Sequence, residues 1–374
     1  MSVFNELIGQ THIVETLSAA VSAAASGQES QEMTHAWIFT GPPGSGRSSA
    51  AIAFAQALVC KANGCGVCND CITAKSGAHP DVEILRSEGL SIKIDEVREL
   101  LTRTAWAPSM SGWRVVIMED ADRLTESAAN ALLKAIEEPG LRTVWLLCAP
   151  TLHDILPTIR SRCRHIQLHT PSNGDVANFL VTKHQVAPKM ADFAARVSQG
   201  HIGRARHLAT NEAVRNRRKS ILAIPAQINS ISSAYAAAAK LVELANEEST
   251  AISEQLDEKE YEALSTALGK GGGKALKELE REQKSRATRI IRDTLDGALL
   301  DLVTFYRDVM LVQAGHDDAL INAELAEQIK KMAIATASNK TLAKIDAIMR
   351  ARENLQRNGA PLLVMEALMC ELIK

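Results

Sequence analysis

The hydrophobic pattern of the chain changes at Pro171. Before this residue, short apolar runs alternate with segments whose apolar residues recur at helical spacing, which is typical of a parallel sheet flanked by helices. One helical segment lies at 129–136, where Thr125 can cap the start and Pro139 ends the pattern. The apolar runs predict five strands, at 36–40, 81–85, 115–118, 144–149 and 165–168.

After Pro171 the strand signals stop and helical patterns continue to the end of the chain. An acidic stretch there is followed by a glycine-rich run from Gly269 to Gly273. Glycine loses much backbone freedom in a helix, so we predict a flexible segment at about 245–275. The whole pattern predicts three domains: an α/β core at 1–169, a small helical unit at 170–213 and an all-α domain at 214–374.

The charge balance limits the classes of protein to which the chain can belong. Its 374 residues include 42 Lys and Arg against 44 Asp and Glu, a formal net charge of −2. This excludes a protein that is basic over its whole surface, as nucleic-acid wrapping proteins are. A local basic stretch at 204–219 either contacts DNA phosphates or a neighbouring subunit, or is a solvated helix face. No signal peptide or membrane-spanning run is visible, so we expect a cytoplasmic protein without a membrane partner.

A glycine-rich turn follows the first predicted strand and precedes a helical pattern. Backbone N–H groups and the helix dipole in such a turn favour phosphate, which predicts a P-loop. Arg47 stands where the motif has lysine, and its longer, planar guanidinium does not replace a compact ammonium. We therefore expect little hydrolysis even if nucleotide binds. The candidate phosphate-binding residues are Gly41, Pro42, Pro43, Gly44, Ser45, Gly46, Arg47, Ser48 and Ser49.

A second nucleotide-binding element is predicted where the strand at 115–118 ends in Glu119 and Asp120. An active ATPase of this type has the order Asp-Glu, in which the first acid helps to hold magnesium and the second activates water. Here the order is reversed, and Asp120 is one methylene shorter than glutamate. Together with Arg47 this indicates a degraded active site, for which ATP with Mg²⁺ remains a candidate cofactor.

Four of the seven cysteines, Cys60, Cys65, Cys68 and Cys71, fall within twelve residues. Their spacing is compatible with a tetrahedral zinc site, and nearby glycines allow the tight turns that such a site needs. A redox Cys-x-x-Cys motif is the alternative interpretation. Because four thiolates leave no open coordination position, we interpret the zinc as structural.

Four motifs resemble those of the AAA+ subunits of bacterial DNA clamp loaders: Gly41–Ser48, Glu119–Asp122, the segment from Asn130 to Pro139, and Ser161-Arg162-Cys163. The resemblance covers nearly the whole chain. It implies a RecA-like AAA+ core with a parallel sheet, a helical lid and an all-α helical collar that joins five subunits. The departures at Arg47 and Glu119 resemble the delta-prime type of subunit more than the active gamma/tau type.

This resemblance also implies roles for single residues. Arg162 matches an arginine finger, a cation offered in trans to the γ-phosphate in a neighbouring ATPase. A surface arginine in a turn is the alternative. Thr151 stands where a polar sensor residue contacts the γ-phosphate in the family, although a turn cap explains it equally well. Clamp-loader subunits similarly carry a four-cysteine zinc module after the P-loop helix.

On the same resemblance, the chain is a stator subunit that assists ATP-dependent loading of a sliding clamp onto primed DNA. Its partners are then the gamma/tau and delta subunits, with the clamp and primer-template DNA reached through the complex. Any polymerase activity would belong to the DNA polymerase III holoenzyme and not to this chain. A self-sufficient gamma/tau-type ATPase is one alternative, and a zinc-containing nucleic-acid binder with a relic ATPase core is another.

Overall fold

In the computed structural model the described residues are 2–26, 31–86, 91–104, 106–110, 112–268 and 273–373. They form two compact units, Met1–Thr210 and Asn211–Lys374. No helix in these described ranges is long and apolar enough to cross a membrane.

The first unit is built on a parallel sheet of five strands, β1 (Ala36–Thr40), β2 (Val82–Leu85), β3 (Arg114–Met118), β4 (Thr143–Ala149) and β5 (Arg164–Gln167). Their order in the sheet is β2-β3-β4-β1-β5. The register places Ile38 of β1 opposite Leu147 of β4 and His165 of β5. All five predicted strands are confirmed, with bounds shifted by at most one residue.

Every position of β1, β3 and β4 is buried, and these strands are apolar except at Thr40, Arg114 and Thr143. Alternate side chains enter two separate cores, one on each face of the sheet. Trp37 packs edge-on against Phe54 of the helix after the P-loop, with ring centroids 5.2 Å apart. Ile38 enters the opposite core together with Leu132 and Ile136. The sheet with helices on both faces confirms the predicted α/β class.

Helices connect and follow the strands of the first unit. The side chain of Thr125 accepts a hydrogen bond from the backbone of Ala128, which confirms the predicted cap. The helices are α1 (Thr11–Ser26), α2 (Arg47–Val59), α3 (Asn69–Ser76), α4 (Ile94–Thr104), α5 (Glu126–Glu137), α6 (Pro157–Arg160), α7 (Asn173–His184), α8 (Pro188–Ser198) and α9 (Ile202–Thr210). The structure keeps α7, α8 and α9 within the first unit, so a separate lid at 170–213 stays a prediction.

The second unit is entirely helical in its described residues. Its elements are α10 (Glu212–Gln227), α11 (Ile231–Leu268), α12 (Gly273–Gln313), α13 (Ala326–Ala335), α14 (Ser338–Gln356) and α15 (Pro361–Glu371). The part of the predicted flexible segment from 245 to 268 lies in α11, and 269–272 lies outside the described residues. Flexibility of this segment stays a prediction.

A buried polar network fastens α10 to α12 in the second unit. The Arg218 guanidinium donates from Nε to Asp301 Oδ1 at 2.9 Å and from Nη1 to Glu324 Oε1 at 3.1 Å. It also donates to the side-chain oxygen of Asn322, a residue that is fully buried. For Arg218, both interpretations of the basic stretch at 204–219 were therefore wrong, because this arginine lies inside the helical core.

Candidate functional site

The predicted P-loop lies between the end of β1 and the start of α2. Gly41 donates its backbone N–H to Pro150 O at 3.1 Å, and a Cβ on Gly41 would lie 2.6 Å from Ser45 Oγ. Gly46 is the N-cap of α2 in the left-handed region, with φ at 91°. The loop therefore ends on the positive end of a helix, as a phosphate site requires. Pro42, Pro43 and Ser49 are exposed, while Gly44, Arg47 and Ser48 are half-buried.

The Arg47 guanidinium is hydrogen-bonded within the predicted P-loop. Arg47 Nη1 donates a hydrogen bond of 2.5 Å to the carbonyl oxygen of Gly41, six residues earlier. A lysine at this position would instead offer a point charge to a phosphate. The hydroxyl of Ser45, a residue that is 3% exposed, has no hydrogen-bond partner among the described residues. The loop thus has the backbone geometry that a phosphate site requires, and its Arg47 guanidinium is bonded to the carbonyl of its own Gly41.

The acidic element lies beside the P-loop, as the sequence predicted. Arg47, Glu119, Asp120 and Asp122 all act electrostatically on the buried thiol of Cys148 near the end of β4, whose pKa is raised chiefly by burial. Burial also raises the pKa of Asp122, and the nearby Asp120 carboxylate adds to this. The structure therefore brings the reversed acid pair and the substituted cation together in one place.

Glu119, the first of these acids, is paired with a cation of its own chain. Its Oε1 lies 3.1 Å from Nε of Arg86, just after β2. Arg86 follows β2, which neighbours β3 in the sheet, so the two residues meet at the same sheet edge. A carboxylate held by a guanidinium is a poorer ligand for Mg²⁺ than a free one. Sequence reasoning missed Arg86, because the order of the strands was not available to it.

Thr151 shows the geometry of a turn cap. Its backbone N–H and its hydroxyl donate to Asp154 Oδ2 at 2.8 and 2.9 Å. These bonds close the short 3₁₀ turn Leu152–Asp154. The sensor role of Thr151 stays a prediction.

A residue of the predicted lid segment contacts the predicted P-loop, and sequence reasoning missed it. The side chain of His201, which precedes α9, packs so closely on Gly44 that a Cβ there would lie 2.2 Å from His201 Cγ. Burial lowers the pKa of His201, and the Arg204 charge adds to this effect. The His201 imidazole therefore rests on the predicted phosphate turn. The signal in the sequence was Gly44 itself, which has φ at +84° and no room for a side chain.

The four cysteines converge as the spacing predicted. Their sulfur atoms all lie within 4.8 Å of one another, and the residues are free of disulfide bonds. Cys60 Sγ is 3.8 Å from Cys65 Sγ and 3.6 Å from Cys68 Sγ. A tetrahedron with metal–sulfur bonds of about 2.3 Å has edges of about 3.8 Å. The cluster can therefore hold a metal ion with four thiolate ligands.

Backbone N–H groups donate hydrogen bonds to the sulfurs of Cys60 and Cys71. Ala62 N donates to Cys60 Sγ at 3.3 Å, and Gly66 N donates to Cys71 Sγ at 3.4 Å. Burial would raise the pKa of the Cys60 thiol, but hydrogen bonds from the backbone of Cys65, Gly64 and Ala62 lower it to about 6. Burial raises the pKa of Cys71. Backbone donors of this kind favour the charged form that a metal requires.

The cysteine cluster also anchors the start of the chain. The backbone N–H of Val3 donates to Gly64 O at 2.9 Å, and a Cβ on Gly64 would lie 2.7 Å from the Val3 side chain. Val3 and Phe4 are buried in the same core as Cys60. The cluster therefore supports the packing of the first unit as well as the local loop.

Arg162 lies on the surface, in the turn between α6 and β5. Its guanidinium is held by its own chain, with Nη2 at 2.7 Å from Glu137 Oε1. Nη1 donates to Thr158 O at 2.7 Å and to Ser161 Oγ at 3.2 Å. The side chain keeps 40% of its surface exposed. Arg162 is remote from the acid pair along the sheet order and is available to a molecule outside this unit.

Comparison with known proteins gives one family match, "DNA polymerase III, delta subunit", over residues 16–172. A DNA polymerase III subunit delta' of Bacillus subtilis is 27% identical over 88% of this chain and 88% of that protein. A subunit delta' of Pseudomonas aeruginosa is 37% identical over 38% of this chain and 45% of its own length. A subunit gamma/tau of Mycobacterium tuberculosis is 35% identical over 43% of this chain, which spans 28% of that relative.

Among solved structures, a DNA polymerase III gamma subunit-related protein from Thermotoga maritima matches with a TM-score of 0.39. The match has 17% sequence identity and covers 91% of this chain and 99% of that chain. A likeness at this level does not bear on function.

Proposed function

We propose, from the similarity of this chain to delta' subunits of DNA polymerase III, that it is a delta-prime-type stator of a clamp loader. In this role it supplies Arg162 as an arginine finger to the nucleotide site of a neighbouring gamma/tau-type ATPase. Its partners are gamma/tau and delta subunits, and it contacts the sliding clamp and primer-template DNA as part of their complex. A cytoplasmic location follows from this role.

The observation that carries the proposal is a contrast between two arginines. Arg47, in the chain's own P-loop, is bound to the Gly41 carbonyl, and the neighbouring Glu119 is paired with Arg86. Arg162 is ordered on the surface and 40% exposed. The arrangement supports little ATP turnover by this chain and a cation that is presented to another molecule. An arginine finger in trans is worth about 10³-fold or more in rate.

We assign a structural Zn²⁺ to Cys60, Cys65, Cys68 and Cys71. Four thiolate donors with no oxygen or nitrogen ligand favour zinc over calcium or magnesium, which prefer oxygen. The metal would tie the loop after α2 to the first turn of α3. It would take no part in the transfer of phosphate, because a closed four-thiolate site has no position for substrate.

The test is phosphate release by the assembled loader that contains Arg162→Ala. The site that faces this chain should lose about 10³-fold or more of its rate, so the burst of phosphate from that site disappears. Arg160→Ala, two residues earlier in the same segment, is the control and should leave the burst in place. An unchanged burst with Arg162→Ala would refute the finger.

A second preparation, the isolated chain, tests the other two candidate functions. The isolated chain, titrated with Mg-ATP, should release no phosphate above background. Sustained turnover would instead identify a gamma/tau-type ATPase in which Arg47 and Asp120 work. Tight, salt-sensitive DNA binding by the isolated chain would favour a nucleic-acid binder, which the net charge of −2 opposes.

A further inference from the structure

The guanidinium of Arg162 is fixed by three acceptors of its own unit. Glu137 Oε1 is 2.7 Å from Nη2, Thr158 O is 2.7 Å from Nη1, and Ser161 Oγ is 3.2 Å from Nη1. A guanidinium has five N–H donors, so Nε and the second hydrogen on Nη2 keep their donor capacity. These three contacts set the direction of the side chain and still leave donors for a phosphate oxygen.

Glu137 occupies an electrostatically unusual position. It is the last residue of α5, at the end of the helix where the macrodipole is negative, and Glu138 follows it directly. A carboxylate there is unfavourable unless a cation lies beside it. Arg162 supplies that cation, and the helix end adds to its attraction. The pair is therefore better placed than an ordinary surface ion pair, although Glu137 itself is 45% exposed.

Fixing an arginine in advance has a consequence for catalysis. A long side chain loses rotamer freedom when it engages its target, and that loss is smaller when other contacts already hold it. Electrostatic catalysis depends on donors whose direction is set before charge develops. Glu137 is the side chain outside the Arg162 turn that fixes the direction of the Arg162 guanidinium. It lies twenty-five positions earlier, in the motif that ends at Pro139.

We infer that Glu137 is a positioning residue, which holds the Arg162 guanidinium ready for the γ-phosphate of the neighbouring subunit. This inference rests on the proposed function of Arg162. Glu137 touches no nucleotide and acts through the arginine alone. The ion pair is kept while the remaining N–H donors of Arg162 engage the phosphate.

The experiment is rapid-mixing measurement of phosphate release by the assembled loader. The phase that Arg162→Ala removes identifies the site that faces this chain. Glu137→Ala should slow that phase about two- to fivefold, the effect of one partly exposed ion pair, with an unchanged ATP concentration for half-saturation. Glu137→Gln, which keeps an acceptor oxygen, should recover part of the rate. Glu138→Ala, which removes the adjacent carboxylate at the same helix end, is the matched control and should leave the rate unchanged.

A double-mutant comparison separates positioning from a general structural role. Adding Glu137→Ala to Arg162→Ala should change the remaining turnover no further, because Glu137 acts through the arginine. A further slowing in that background would overturn the inference. An unchanged rate of this phase with Glu137→Ala alone would also overturn the inference. A faster phase would overturn it as well, because it would mean that the ion pair keeps Arg162 away from the phosphate. If Arg162→Ala removes no phase, the proposed function fails first and the inference fails with it.

Discussion

Replacement of Arg218 by methionine should unfold the second unit at a markedly lower temperature. The Arg218 and Asp301 side chains are 6% and 7% exposed, and the guanidinium also binds Asn322 and Glu324. Methionine keeps the packing of the aliphatic stem but leaves the Asp301 carboxylate buried beside an apolar group. Removal of one partner from a buried pair costs about 3–5 kcal/mol.

That free energy converts into a measurable shift. For a unit of this size, 1 kcal/mol lowers Tm by about 2–4 °C, so Arg218→Met should lower it by about 6–20 °C. Calorimetry of the full chain, with urea unfolding as a second measure, gives the value. Arg350→Met is the control in the same unit, because Arg350 pairs with Glu371 at 59% and 51% exposure and its loss should cost at most about 1 kcal/mol. If Arg218→Met melted within 1 kcal/mol of the control, the network would not stabilise the unit in this way.

Three further predictions concern the first unit. Removal of metal by a chelator, or Cys65→Ser, should lower the Tm of this unit and release one equivalent of zinc in a colorimetric assay; a preparation without zinc would contradict the assignment. Gly44→Ala should lower the free energy of unfolding by about 2–5 kcal/mol, since it adds overpacking on His201 to backbone strain at φ +84°. Gly46→Ala is the control, with φ +91° and open space around it, and should lower this free energy by only about 1–2 kcal/mol. Equal losses in urea unfolding would show that the His201 contact is not tight. Asp122→Asn should stabilise the unit at neutral pH, because the raised pKa of Asp122 means that the folded state binds the proton more tightly than the unfolded state does. The free energy of unfolding of the original chain therefore falls as the pH rises above the ordinary pKa of 3.8. The gain in urea midpoint should vanish below that pH, and a gain that is the same at every pH would exclude this cause.

The strands and the P-loop could be predicted from the sequence because their signals are local. The apolar run at 36–40 is buried at every position, and the glycines after it have the positive φ values that the turn requires. The cysteine cluster was predictable for the same reason, since twelve residues contain all four ligands and the turns between them. In each case neighbours in sequence are neighbours in space.

Contacts between distant segments could not be predicted in this way. Arg86 meets Glu119, and Glu137 meets Arg162, only because the sheet order and the helix ends bring them together. Arg218 was grouped with surface cations by composition, although its three acceptors lie far along the chain. A charge pattern gives the number of cations in a stretch of sequence. Whether one of these cations is buried depends on acceptors elsewhere in the chain, which the pattern does not contain.

The order of the strands has a consequence for how the first unit is made. β1 is the first strand to leave the ribosome, yet its partners in the sheet are β4 and β5. Ala36 therefore cannot pair until Trp145 has been synthesised, and Trp37 cannot pair with Arg164 until β5 has been synthesised. During synthesis the apolar strand β1 therefore stays unpaired while β2 and β3 form, and pairing over such long loops is intrinsically slow. A nascent chain in this condition exposes a strand edge that invites aggregation, which makes this unit a natural client for chaperones until β5 is complete.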